Sequence, residues 1–174
     1  MVKNESIRAI KHLPAQEGKY SEYPEDVHPA LIEALKEKGF LKLYSHQHQS
    51  WQLLKEGKNI AVVTPTASGK TLCYNLPVLD SILKNPSARA IYLFPTKALS
   101  QDQRAELDET INRLPGEIRI FTYDGDTPQD ARKAIRARGH IILTNPDMLH
   151  TGILPHHTKC IKLFENLKYV VIDE

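Results

Sequence analysis

Long apolar stretches, a cysteine framework and a charge of one sign are all missing from this sequence, and each absence removes a class of protein. Unbroken apolar runs, Ile60-Ala61-Val62-Val63 among them, reach no more than five residues, far short of the roughly 20 that a bilayer helix needs. No membrane partner is therefore expected. Met1 to Ile10 lacks the apolar core of a secretory signal. The two cysteines, Cys73 and Cys160, stand far apart with no C-x-x-C, which leaves neither a disulfide framework nor a local zinc site and makes a reducing, cytoplasmic setting the expectation. Net charge is only +2, from 23 basic and 21 acidic residues, so any grip on nucleic acid has to come from the placement of charges. What is present is 174 residues, 41% hydrophobic and 25% charged, the size and composition of one globular domain. Two catalytic domains do not fit in that length.

Residues 1–28 carry Pro14, Gly18 and Pro24 with weak periodicity and read as an irregular lead-in. From residue 29 to 174 the pattern is that of one domain. Pro29 opens a helix that Gly39 closes, and a second runs from His46 to Glu56, stopped by Gly57. Short β-branched runs follow, at Asn59–Thr64, Ala90–Phe94, Ile118–Tyr123, His140–Thr144 and Tyr169–Asp173. Helical patterns separate them at Lys70–Leu83, Lys97–Arg113 and Pro128–Arg138, with a shorter one near Pro146. Apolar strands joined by helices predict an α/β fold, a parallel sheet with helices on both faces. Ligands bind such sheets at the carboxyl ends of the strands.

One of those ends carries the strongest motif. The run Thr64-Pro65-Thr66-Ala67-Ser68-Gly69-Lys70-Thr71 lies between a strand pattern and a helix pattern and nearly matches G-x-x-x-x-G-K-[ST], with Thr64 where the first glycine would stand. In this arrangement backbone N–H groups and a helix start wrap the phosphates of a nucleotide. Thr66, Ala67, Ser68, Gly69, Lys70 and Thr71 are the candidate ATP-binding residues. Lys70 is placed to reach the β and γ phosphates, and the Thr71 hydroxyl to hold Mg2+. Tyr169-Val170-Val171-Ile172-Asp173-Glu174 supplies the acids such a site needs, with Asp173 for the magnesium ion and Glu174 as general base on water. Lys70 and Glu174 are thus the candidate catalytic residues. Without the loop, two acids at a strand end would read as a solvated terminus.

With these motifs in order, the chain resembles the first motor domain of superfamily 2 DEAD/DEAH-box helicases, and within them the MrfA/YprA type. Gln47, in Leu43-Tyr44-Ser45-His46-Gln47, matches the glutamine that reads adenine in that superfamily, and Tyr44 is placed to stack on the base. Phe94-Pro95-Thr96-Lys97-Ala98-Leu99 and Thr144-Asn145-Pro146-Asp147-Met148-Leu149 look like its two nucleic-acid motifs. The wording of Tyr123-Asp124-Gly125-Asp126-Thr127 and Ile153-Leu154-Pro155-His156-His157 is similar to the same branch. The resemblance implies a RecA-like P-loop fold, present as an incomplete first motor domain ending inside the acid motif. It implies ATP and Mg2+ as cofactors, single-stranded or partly duplex DNA as partner, 3′-to-5′ translocation and a role in DNA repair. It also implies a second motor domain and a C-terminal zinc-binding domain in the parent. These 174 residues are accordingly expected to bind ATP without hydrolysing it, because the arginine that the second domain contributes is worth about 10³ to 10⁵ in rate. The neighbour of the Ile60–Val63 strand would likewise come from that further segment, which leaves this strand at an open edge.

Local chemistry supports the nucleic-acid half more thinly. Pro95, Thr96, Lys97, Thr144, Asn145 and Pro146 combine hydroxyls, an amine and helix starts, equipment for gripping a sugar-phosphate backbone. Such turns do not report the 2′-hydroxyl, so an RNA helicase lobe stays an alternative. Another P-loop NTPase or kinase is a second alternative, although no guanine-reading Asn-Lys-x-Asp segment is present. Arg132, Lys133, Arg136 and Arg138 form a basic run on a helix that could line the strand path, although such a run is more often a solvated face. The pairs His46/His48 and His156/His157 have no cysteine or acid spaced to complete a tetrahedral site, so no zinc is expected.

Overall fold

The computed structural model describes residues 18–65 and 68–173. The chain opens with β1 (Tyr20–Ser21), α1 (Pro29–Glu37), β2 (Leu43–Tyr44) and α2 (Ser45–Lys55), with β1 and β2 paired antiparallel. Then come α3 (Lys70–Lys84), β3 (Arg89–Leu93), α4 (Lys97–Ile111), β4 (Ile120–Thr122), α5 (Gln129–Arg138) and β5 (Ile141–Thr144). A wound segment of short α (α6, Pro146–Met148), π (Leu149–Ile153) and 3-10 (Leu154–Cys160) turns leads through α7 (Ile161–Glu165) to β6 (Leu167–Ile172). The main sheet has four parallel strands in the order β4-β5-β3-β6.

The central strands owe their place to their side chains. β3 and β5 are apolar on both faces, and alternate residues point to opposite sides. Ala90, Tyr92, Ile141 and Leu143 meet Leu72, Leu76 and Leu79 of α3 and Leu107 of α4. Ile91, Leu93 and Ile142 meet Ile135 of α5 with Ile153 and Leu163. Helices therefore cover both faces, as the α/β pattern predicts.

One expectation changes. Asn59–Thr64 is not a strand, and among the described residues nothing pairs with it. Val63 is 94% exposed. A β-branched run becomes a strand only where a partner takes its backbone N–H and C=O groups, and none of the four strands pairs with it. The open edge belongs instead to β6, whose one neighbour among the described residues is β3. There Val170 and Ile172 remain exposed although a parallel sheet normally buries both faces.

The lead-in packs against the domain. Its first 17 residues lie outside the described residues, but residues 18–28 are tied to the domain. β1 pairs with β2, Val27 is buried in the main core, and the Trp51 indole donates to Asp26 at 3.0 Å. Asp80, on α3 and also buried, accepts from the His28 N–H at 2.8 Å and from Lys84 at 2.8 Å.

His140, at the start of β5, is a buried histidine with both nitrogens used. Its Nδ1 accepts from the Arg119 N–H at 3.0 Å, so the proton sits on Nε2, which lies 3.1 Å from the Pro86 carbonyl and donates to it. Burial, then the Arg89 charge, hold its pKa below the ordinary histidine value. The unfolded chain therefore takes up a proton first as pH falls. Stability from this residue is complete above about pH 6.5 and declines as pH drops through that value towards the lower folded pKa. Urea midpoints at pH 7.5 and 5.5 should differ, and the difference should shrink in His140→Gln.

Candidate functional site

The turn into α3 is built around Gly69. Its φ of +75° and ψ of +31° put it in the left-handed region, and Lys70 begins the helix immediately after it. A β-carbon here would be strained by conformation and would stand 2.8 Å from Gln47 Nε2. Gln47 explains the tight fit. It is 3% exposed, its Oε1 accepts from the Tyr44 N–H at 2.8 Å, and its Nε2 donates to the Gly69 carbonyl at 2.8 Å. One amide thus clamps the start of α2 to the start of α3 and keeps one further N–H and one lone pair in hand.

Lys70 folds back on the loop, donating to the Thr64 carbonyl at 2.9 Å and the Pro65 carbonyl at 3.5 Å. The Thr64 and Ser68 hydroxyls share a hydrogen bond. Thr66 and Ala67 lie outside the described residues. Beside Gly69 the Tyr44 ring stacks on Tyr20 at 5.0 Å and on His46 at 5.6 Å, an aromatic step of which sequence reasoning found only the middle member.

Asp173 continues β6, its N–H donating to the Leu93 carbonyl at 3.1 Å. Its Oδ2 lies 2.9 Å from the Tyr74 hydroxyl, and Thr71 lies one turn before Tyr74 on α3. The structure so gathers Thr71 and Asp173 about one side chain that sequence reasoning did not single out. Burial first, and the Asp173 charge next, push the Tyr74 pKa upward, so the phenol keeps its proton. Two hard oxygen donors, a hydroxyl and a carboxylate, suit Mg2+. Glu174 lies outside the described residues.

On the neighbouring strand ends a shallow cleft is lined by Thr96, Lys97, Ser100, Asp124, Thr144 and Asn145. Thr96 caps α4, accepting from the Leu99 N–H at 3.3 Å, and Asn145 caps α6, accepting from the Met148 N–H at 2.7 Å. Pro95 and Pro146 are exposed at the two turns. Thr144 forms part of the floor rather than the surface, since it is buried and its hydroxyl donates to the Tyr123 carbonyl at 2.7 Å.

Lys97 is not free in this cleft. Its ammonium lies 2.6 Å from Asp126 and 3.3 Å from Asp124. Hydrogen bonding to Asp126, then to Asp124, raises the Lys97 pKa. Burial works against an ionised Asp124, but the Thr127 hydroxyl and Lys97 outweigh it and hold that carboxyl below its ordinary value. Arg132 fixes the acidic loop by donating to the carbonyls of Thr127, Asp124 and Gly125. That role replaces the solvated face read from the sequence for this arginine. Among the described residues no group of three or more histidine, cysteine or acidic side chains is placed to hold a metal ion, and no helix is long and apolar enough to cross a membrane.

Comparison with known proteins bears on this geometry. Residues 44–174 match the family model described as DEAD/DEAH box helicase. The uncharacterized ATP-dependent helicase YprA of Bacillus subtilis is 53% identical over 171 residues, which is 98% of this chain and 23% of that protein. The ATP-dependent helicase HRQ1 of Saccharomyces cerevisiae is 39% identical over 95% of this chain and 16% of its own. The crystal structure of the DUF1998 helicase MrfA bound to DNA and AMPPNP superposes with a TM-score of 0.88 at 55% identity, over 91% of this chain and 22% of that one. The chain thus spans about a fifth of the length of these relatives.

Proposed function

The chain belongs to the DEAD/DEAH box helicase family, and from that membership we propose that residues 29–174 form the ATP-binding lobe of a DNA helicase motor. Its fold is the RecA-like P-loop fold of such motors. The observation that carries the proposal is the bond from Asp173, at the end of β6, to Tyr74, one turn beyond Lys70 and Thr71 on α3, with Gln47 clamped to the carbonyl of Gly69 that precedes this helix. In this reading Thr66, Ala67, Ser68 and Gly69 offer backbone N–H groups to the phosphates. Lys70 leaves the Thr64 and Pro65 carbonyls for the β and γ phosphates, Gln47 uses its spare N–H and lone pair on the adenine, and Tyr44 stacks on it. Thr71 and Asp173 hold Mg2+, which when bound offsets charge on the phosphate oxygens. Glu174 takes the proton of the attacking water.

Pro95, Thr96, Lys97, Asn145 and Pro146, over the Thr144 floor, face the nucleic-acid backbone. DNA is the favoured partner because the MrfA structure at 55% identity was solved with DNA. An RNA backbone would meet the same turns. Translocation in the 3′-to-5′ direction and a DNA-repair role rest on the resemblance. These 174 residues by themselves bind ATP with little turnover, for want of an arginine on the transferring phosphate.

Calorimetric titration with ATP and magnesium, followed by phosphate release with and without single-stranded DNA, tests this. Saturable binding without DNA-stimulated release is expected. No binding by demonstrably folded chain would overturn the nucleotide site, and brisk turnover would overturn the need for a further domain.

The acidic loop makes a separate prediction. A phosphate reaching Lys97 has to displace Asp126, so Asp126→Asn should tighten single-stranded DNA binding about two- to fivefold and steepen its salt dependence by up to about one counterion. Lys97→Ala in the same background should cancel the gain. Fluorescence anisotropy across a salt series reads both effects.

A further inference from the structure

Three elements meet on the Tyr74 hydroxyl. Tyr74 stands one turn beyond Lys70 on α3. Its oxygen lies 2.9 Å from Asp173 Oδ2, at the end of β6, and 3.2 Å from Gln103 Oε1, on α4. The ring itself is fixed, packed edge-on against Tyr92 at 5.4 Å. Tyr92 is fully buried and anchored in turn by its hydroxyl on Asn75 at 2.9 Å. Only the phenolic O–H is left to move.

A phenol has one proton to donate, and here it faces two acceptors. While Asp173 carries a full negative charge it is the stronger acceptor. Asp173 would keep this bond while a divalent cation shares its charge, so a shift of α4 that carries Gln103 towards or away from the hydroxyl decides which acceptor takes the proton. Gln103 lies two turns along the helix whose first turn carries Thr96 and Lys97. The same helix thus has one end at the nucleic-acid cleft and a side chain at the nucleotide site.

We propose that Tyr74 is a positioning residue that aims the Asp173 carboxylate at its metal ion and, through the exchange of its hydroxyl between Asp173 and Gln103, couples the nucleotide site to α4. The inference rests on the reading of Asp173 as a magnesium carboxylate and of the α4 start as a nucleic-acid grip. Coupling of this kind is reciprocal, so a nucleic acid on α4 has to change nucleotide affinity through the same bond.

The test is the affinity of a fluorescent non-hydrolysable ATP analogue, in magnesium and in EDTA, with and without a single-stranded oligothymidylate. It is applied to wild type, Tyr74→Phe and Gln103→Leu, after thermal melts have established that each is folded. Tyr74→Phe keeps the ring and its packing. It should cut the gain in affinity due to magnesium about tenfold, as expected for a hydrogen bond to a charged group, and leave affinity in EDTA within about twofold. Gln103→Leu should keep the magnesium gain and lose the effect of the oligonucleotide, while Tyr74→Phe loses both. Equal losses with and without magnesium in Tyr74→Phe would make its role purely structural and overturn the inference. So would wild-type behaviour in both variants. If wild type binds no nucleotide, the functional reading itself falls and the inference with it.

Discussion

Lys70→Ala is expected to abolish measurable ATP binding, weakening it by about 30-fold or more, while leaving the melting temperature nearly unchanged. A charge-assisted hydrogen bond contributes about 1.5–3 kcal/mol, and Lys70 is placed to make such bonds to two phosphates. The cost to the fold is small because the ammonium rests on two loop carbonyls, Thr64 and Pro65, that water can serve equally well. Calorimetric titration paired with a thermal melt separates the two effects. Loss of binding accompanied by a large drop in melting temperature would mean that Lys70 holds the loop together rather than the ligand.

The largest effect on stability is expected at Ile142→Ala. Ile142 has no exposed surface and sits on β5, between β4 and β3, facing Ile135, Ile153 and Leu163. Removing a buried isoleucine down to alanine costs about 2–5 kcal/mol, the upper part of that range applying where neighbours cannot collapse into the space. Strands on both sides restrain that collapse here, so about 3–4 kcal/mol is expected, lowering the melting temperature by about 6–16 °C for a domain of this size. A change below about 1 kcal/mol in urea titration would show that the second cluster repacks freely.

What could be read from the residues and what could not divide along the range of the interaction involved. The helix starts at Pro29 and Lys97 and the buried strands β3 and β5 follow from local pattern, since proline, capping hydroxyls and apolar runs act within a few residues. Ile60–Val63 has the same local pattern as β3, yet a strand is completed by a partner elsewhere in the chain, and local pattern cannot supply one. The nucleotide motif announced itself because glycine, lysine and threonine act at fixed spacing. Tyr74 did not, because its role comes from partners 29 and 99 residues away. Asp124 and Asp126 stood out only as part of a run similar to the family's, and their hold on Lys97, 27 and 29 residues away, was not legible. The resemblance points Gln47 at adenine, whereas its clamp on Gly69 joins residues 22 apart in sequence.

Among the described residues the far side of β6 has no partner strand, and this gives a single strand two clocks. In a parallel ladder successive amides point to opposite neighbours, and the Asp173 amide is bonded to Leu93 of β3. By that alternation the amides of Tyr169 and Val171 also turn inward, whereas those of Val170 and Ile172 turn towards water. Solvent deuterium would therefore enter β6 at every second position, the outward amides equilibrating early and the inward ones waiting for β3 to let go. The strand that carries Asp173 is in this sense half folded core and half open surface, residue by residue.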